Sequence, residues 1–339
     1  MSAETITDLN QNVLIGYTDK RGTAWHYRAS AQGEEPNHYA GPIPVEDVRR
    51  RLFSWRAVEG EITATALTSD GVLVMTDPTR KAIMRSDTGA ILGIFKLGYR
   101  PHQYDEWLVQ YVEALLNAEA KVGSAGLLAG GARAWVQIEM EDTLNVQGIA
   151  FRPHLTAATS FDGSLSTTYG TGVQLVVCDN TLSAALGSFT GRVKIRHSVN
   201  SLSRIDDARD ALGILEAVGA AFTAQVEELL TVKVTDKQFQ AFLDAHTELT
   251  DEKREKGGAS LTLALNKQDG LRRLWNTDDR VAPWAGTAFG VVQAVNTYTH
   301  HEGTVRNVSR VERNMDRVII GGVDKMDAAT LSTLQAVLA

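Results

Sequence analysis

Apolar and polar positions alternate in short runs through the first third of the chain. Glu61-Ile62-Thr63-Ala64-Thr65-Ala66-Leu67 leads into Ser69-Asp70-Gly71 and then Val72-Leu73-Val74-Met75. An Asp-Gly step between two apolar runs marks a β-hairpin. The pattern repeats in Ala82–Arg85, Ser86-Asp87-Thr88-Gly89 and Ala90–Phe95. From Gln103 to Lys121 the period becomes helical: Trp107, Tyr111, Leu115 and Ala118 share a face, and Asp105 and Glu106 suit a positive first turn. Gly123, Gly126, Gly130 and Gly131 read as the stop of that helix and a turn. Ala134–Met140 alternates again. So do Ile149–Ser160 and Ser164–Cys178, joined by Phe161-Asp162-Gly163. Their Thr and Val content predicts an antiparallel meander of long strands.

After Gly191, Arg192–Ser198 predicts one more strand. A long helix follows over roughly Ser203–Thr231, with Ile205, Ala208, Leu212, Leu215, Phe222, Val226 and Leu229 on a broad apolar stripe. Thr235–Leu249 is a second helix, begun by a Thr235/Asp236 cap. Asp251–Gly258 reads as a charged linker. Further helices are expected near Leu261–Trp275, Gly286–His300, Thr304–Arg317 and Asp327–Leu338. The plan is α+β: an antiparallel β-meander with a long helix packed on it. It divides into a β-rich N-terminal region (1–100), the meander with its helix (101–232) and a helical C-terminal region (233–339).

A chain of 339 residues can bury a sizeable core without a staple. Its one cysteine, Cys178, excludes an internal disulfide framework and a multi-thiolate zinc site, which fits a reducing cytoplasm. No apolar stretch approaches the ~20 residues that span a bilayer, and Met1-Ser2-Ala3-Glu4 does not open a signal peptide. A formal charge of -7 argues against a generally basic coat but leaves room for a local basic groove.

Most catalytic patterns fail on inspection. The glycine-rich loop Gly123–Gly131 lacks the Gly-Lys-Ser/Thr ending of a phosphate loop, so no ATP hydrolysis is expected. No histidine pair at i,i+4 flanks a carboxylate, so no metal site is expected. Glu139 and Glu141 share a strand face, with Asp142 beyond, and Glu119-Ala120-Lys121 faintly echoes a nuclease motif; the plainer reading is a solvated strand face and a helix end. Cys178 beside Val176-Val177 reads as a buried, inert thiol.

Two basic stretches are more informative. In Arg192-Val193-Lys194-Ile195-Arg196-His197-Ser198, the three cations project from one strand face at steps of roughly 6.6 Å, while Val193, Ile195 and His197 face the other way. That ladder fits successive phosphates of an extended single strand, or guards an edge strand against aggregation. On a helix, Arg306, Arg310, Arg313 and Arg317 form a narrow stripe opposite Val308, Val311, Met315 and Val318. The stripe is expected to point outward, as a solvated face, a subunit contact or a DNA contact.

Several segments together resemble a phage- and plasmid-like family labelled domain of unknown function nine-three-two. They are Gly22-Thr23-Ala24-Trp25-His26, Arg85–Gly89 with Leu92-Gly93, and Gly98-Tyr99-Arg100-Pro101. Ala125-Gly126-Leu127 with Gly130-Gly131 and Trp135, Asp162-Gly163, and Val176-Val177-Cys178-Asp179-Asn180-Thr181-Leu182 follow. Arg196-His197 and Gly286-Thr287 with Ala294-Val295-Asn296 complete the set. Leu175 stands where the family often has an arginine, so no role for that arginine carries over. The resemblance implies a phage or plasmid source and gives no activity. A meander followed by a long helix, with no ATP motif, also resembles phage single-strand annealing recombinases, which hold single-stranded DNA in a basic groove of a ring or filament.

The resulting expectation is a phage-encoded, oligomeric single-stranded DNA-binding or annealing protein of recombination or replication, in the bacterial cytoplasm, with no catalytic residues, metal or cofactor. DNA contacts fall to Arg192, Lys194, Arg196 and Arg204, with Arg100, Arg133 and Arg152 secondary and Tyr99 or Tyr169 stacking on bases. The broad stripe of the long helix predicts a homo-oligomer larger than a dimer. The alternatives are a magnesium-dependent nuclease using Glu139, Glu141 or Asp162, and a non-enzymatic interaction protein acting on host defence.

Overall fold

The computed structural model describes residues 3–24, 27–110, 120–140, 144–175, 181–182, 192–195, 197, 215–305, 310, 313–314, 317 and 322–339. The architecture is α+β, with antiparallel sheets in the N-terminal half and helices in the C-terminal half. Two compact units interleave in sequence: Met1–Glu141, His154–Gly170 and Gly191–Ile214 form one, and Asp142–Pro153, Thr171–Thr190 and Leu215–Ala339 the other. The division therefore runs through two strands of the meander instead of between consecutive regions.

In the first unit the β-rich reading holds only from Ala57. Before it lie the helices Ala3–Asn12, Thr18–Arg21 and Val45–Leu52 around a single short strand, β1 (Val13–Ile15). Val45–Leu52 forms because Glu46 and Asp47 sit in its first turn and Arg49, Arg50 and Arg51 in its last, while Val48 and Leu52 share the buried face. The predicted hairpins appear as β2 (Ala57–Thr68), β3 (Gly71–Arg85) and β4 (Ile91–Lys96), a separate three-stranded sheet in that order.

The larger sheet of this unit runs β1, β5 (Ala120–Leu128), β6 (Arg133–Met140), β8 (Ile149–Ser160) and β9 (Thr167–Leu175). The helix expected over Gln103–Lys121 is observed as a π-helical turn, Asp105–Gln110, that buries Trp107, Leu108 and Val109; residues 111–119 lie outside the described residues. Lys121 is already strand, so the helix-stop reading of the glycines is corrected. Gly123 and Gly126 stand inside β5 because side chains of β6 lie across them. A Cβ at Gly126 would enter the Trp135 ring, and one at Gly123 would enter the Glu139 carboxylate. Only Gly130 and Gly131 serve the turn, at φ 65° and 95°.

In the second unit β7 (Leu144–Val146) pairs with the start of β8, and β10 (Thr181–Leu182) pairs with the end of β9. The helix Leu215–Thr231 packs there, with Phe222 edge-on to Phe151 at 4.7 Å. This is the described part of the predicted long helix; 203–214 lie outside the described residues. Thr235 caps the helix Asp236–His246 in a reciprocal box with Gln238, as its sequence predicts. The expected linker at Asp251 is a short helix, Asp251–Lys256, capped by Thr250 and ended by Gly257. Ala259–Thr277, Ala288–Thr297 and Gly322–Leu338 complete the bundle. Its core joins Phe239, stacked on Trp275 at 4.1 Å, with Phe242, Leu271, Val291 and Leu334. Among the described residues no helix is long and apolar enough to cross a membrane.

Candidate nucleic-acid interface

The basic strand exists. β11 (Arg192–Ile195) pairs antiparallel with the first half of β9, and with no other strand among the described residues. Val193 pairs with Tyr169 and Ile195 with Thr167, and both of these partners are buried. Arg192 and Lys194, the alternate positions, pair with Gly170 and Thr168, and Thr168 is buried as well. Arg196 and Arg204 lie outside the described residues.

Just past β11, His197 enters a column of stacked rings. Phe95 stacks on Tyr99 with centroids 3.8 Å apart, Tyr99 on His197 at 5.2 Å, His197 on His102 at 4.0 Å, and His102 on Trp107 at 3.7 Å. A hydroxyl network ties the two imidazoles to the sheet. His102 Nδ1 is 2.6 Å from Thr167 Oγ1, Thr167 Oγ1 is 2.7 Å from Thr159 Oγ1, and Thr159 Oγ1 is 2.9 Å from His197 Nε2. Burial holds His102 down to about 3, helped by the nearby His197, and holds His197 down to about 4. Both rings are therefore neutral near pH 7, and the column adds no charge beneath the strand. Its effect is positional: Tyr99 and His197, chain neighbours of Arg100 and Arg196, stack on each other.

The secondary candidates separate by environment. Arg100 is exposed, with Glu59 at 3.9 Å. Arg133 pairs with Asp162 at 3.1 Å. Arg152 is buried within β8, which corrects its placement as a surface contact. The two tyrosines are corrected as well. Tyr169 is buried and donates its hydroxyl to Trp107 O at 2.7 Å. Tyr99 is held between Phe95 and His197 and donates to Ser160 O, so its ring faces are occupied.

The carboxylates of the nuclease alternative are also engaged. Glu139 is not on a solvated face; it is buried and paired with Arg21 at 2.5 Å, and it accepts from the Gln137 amide at 3.3 Å. Asp162 is held low by Ser164 and Arg133 against its own burial. Glu141 and Cys178 lie outside the described residues. Among the described residues no three His, Cys, Asp or Glu side chains converge on a metal position.

The arginine stripe of the second unit also turns out differently. Arg310, Arg313 and Arg317 are half-buried and not outward. Arg310 donates to Gly303 O at 3.0 Å and Arg313 to Thr299 O at 2.5 Å, while Asn314 donates to His300 O at 3.1 Å. These carbonyls end the Ala288–Glu302 helical run, where orphan acceptors and negative dipole favour cations. Burial first, then the Arg317 and Arg310 charges, lowers Arg313 to about 10.

These features define an α+β protein with a basic strand, β11, and a column of neutral rings that includes His197 just past it. The chain belongs to the family described as domain of unknown function (DUF932), whose model matches residues 91–318. The match includes the column and β11, and begins after β3. No curated protein and no solved structure matches the chain.

Proposed function

We propose that the protein is a phage-encoded, oligomeric binder of single-stranded DNA in recombination or replication, and that it holds the strand by phosphate contacts and breaks no bond. The observation that carries this reading is the register of β11. Along β11, Arg192 and Lys194 alternate with Val193 and Ile195, which pair with buried Tyr169 and Thr167. Exposed Arg100 follows the tyrosine that stacks on His197, two residues past β11. The buried, ion-paired Glu139 gives the nuclease alternative no open metal ligand.

The test is a salt titration of labelled oligonucleotide binding with wild type and the triple variant Arg192→Glu, Lys194→Glu, Arg196→Glu. Each phosphate contact on a single strand contributes about -0.7 to the slope of log affinity against log salt. Loss of three contacts flattens that slope by roughly 2. An unchanged affinity and slope refutes the assignment. Cutting of the oligonucleotide upon addition of magnesium refutes the non-enzymatic reading.

A further inference from the structure

The β2–β3 hairpin has a distal arm that no part of its own unit covers. Its base is a three-stranded sheet, because β4 pairs only with Arg80–Met84 of β3. At Ile62 the register breaks: Glu61 pairs with Lys81 but Thr63 with Thr76, so Asp77–Arg80 bulge out, with Asp77 accepting from the Thr79 amide and hydroxyl. Beyond this bulge Thr63–Thr76 is a two-stranded ribbon exposed on both faces. Leu67 is 86% exposed, Val72 63%, Leu73 46%, Val74 60% and Met75 58%. A lone two-stranded ribbon is marginally stable in water, and an uncharged open edge is normally guarded. β3 carries such a guard, Asp77-Pro78. The open edge of β2 from Ile62 to Thr68 carries none.

The chemistry of the arm selects its occupant. Between Thr63 and Thr76 the only charged residue is Asp70, at the tip, so the ribbon offers nothing to a polyanion. Its two faces differ in relief. On one, Ala64 lies opposite Met75 and Ala66 opposite Leu73, a small column on β2 beside a bulky column on β3. A two-fold axis parallel to the strands lays one such ribbon on another with bulky columns over small ones and both tips pointing the same way. The opposite face carries Leu67, Val72 and Val74, so a pairing that covers one face leaves a second apolar face open to a further copy.

We propose that the arm is the self-association element: each arm is sandwiched between arms of further copies of this chain, giving an assembly larger than a dimer. This deepens the oligomeric part of the proposed function and does not depend on the DNA-binding part. The experiment is sedimentation velocity on the full chain from 1 to 100 µM, with Leu73→Glu/Met75→Glu on one face and Val72→Glu/Val74→Glu on the other. All three are checked for an unchanged far-ultraviolet spectrum, and oligonucleotide binding is measured separately. The expected result is a wild-type mass above twice 36.9 kDa and at least a two-fold smaller mass for each variant. A wild type that stays at 36.9 kDa across the range overturns the proposal, as do variants that keep the wild-type mass. A monomeric wild type that floats with phosphatidylcholine vesicles through the arm also overturns it, and assigns the arm to a lipid surface. A monomeric variant that still shows salt-dependent binding supports the arm assignment and leaves the DNA reading standing. An assembled wild type that ignores DNA refutes only the DNA reading.

Discussion

Replacing Arg21 by methionine strips the cation from a carboxylate that is almost completely enclosed. The two side chains are 11% and 1% exposed, and Arg21 Nη2 lies 2.5 Å from Glu139 Oε2. The pair joins positions far apart in sequence. The Thr18–Arg21 turn is fixed to β5 because Gly16 N donates to Gly123 O at 2.8 Å, and glycine at 123 leaves room for the carboxylate. In Arg21→Met, Glu139 keeps the Gln137 amide but loses the Arg21 guanidinium. Breaking one side of a buried pair costs about 3–5 kcal/mol, mostly the penalty of an uncompensated charge. In Glu139→Gln the charge that remains is the arginine, which reaches solvent, so about 1–2 kcal/mol is lost, on the scale of a hydrogen bond to a charged group. The double variant lacks both members of the pair and should resemble Glu139→Gln. The coupling then equals the Arg21→Met loss, about 3–5 kcal/mol, well above the ~0.5 kcal/mol scatter of independent sites. At about 2 °C per kcal/mol, Arg21→Met lowers the melting temperature by roughly 6–10 °C, and adding Glu139→Gln restores more than half of that. Calorimetry on the wild type and the three variants measures each corner of the cycle. If the double variant melts at the sum of the two single losses, the pair is not coupled and the argument from burial is wrong.

The other expectations concern the same unit. His102 is neutral when folded and binds a proton near 6.5 when unfolded, so its contribution is fully present above about pH 6.5 and is lost as pH falls toward about 3. At pH 5 that is about 2 kcal/mol, and His102→Phe should flatten the fall of melting temperature below pH 6.5; an unchanged pH profile contradicts the buried, neutral assignment. Gly126→Ala drives a methyl into the Trp135 ring and should cost about 1–3 kcal/mol by overpacking, while Gly98→Ala, with open space at its Cβ, should be near neutral; equal melting points would refute the close-packing account of β5.

What the sequence revealed depended on whether a pattern had one structural meaning. The Asp70-Gly71 hairpin, the alternation of Ala134–Met140 and the Thr235 cap were legible because turn chemistry and period 2 or 3.6 leave few alternatives. Gly123 and Gly126 were not, since glycine both ends helices and makes room under a large neighbour, and only the cross-strand partners Trp135 and Glu139 decide which. The arginine stripe shows a related limit. Helical spacing says that Arg310, Arg313 and Arg317 share a face, but not whether that face meets water or the carbonyls of Thr299, His300 and Gly303. The ring column left a partial trace, three rings at Tyr99, His102 and Trp107. His197 comes from just past β11, almost a hundred residues later, which no local pattern connects.

Charge bookkeeping links the basic strand to the arm. An acidic chain can attract a polyanion only where its cations are not already spent. Arg49 and Arg50 are engaged by Glu46, Asp105, Glu35 and Asp47, Arg85 by Asp87, and Arg133 by Asp162. The proposed patch is therefore small, Arg192, Lys194, Arg196 and Arg100, and four phosphate contacts give a log–log salt slope of roughly -3 for one copy. Such a patch binds weakly alone and gains strength only when neighbouring copies hold one strand together. If the arms build the assembly, the slope of the wild type should exceed one copy's share, and Leu73→Glu/Met75→Glu should reduce it toward roughly -3 while leaving β11 intact. The measurement is the salt dependence of binding to an oligonucleotide long enough to cross several copies. A dissociated variant with the full wild-type slope would show that the copies bind DNA independently, and that assembly and binding are separate properties of the chain.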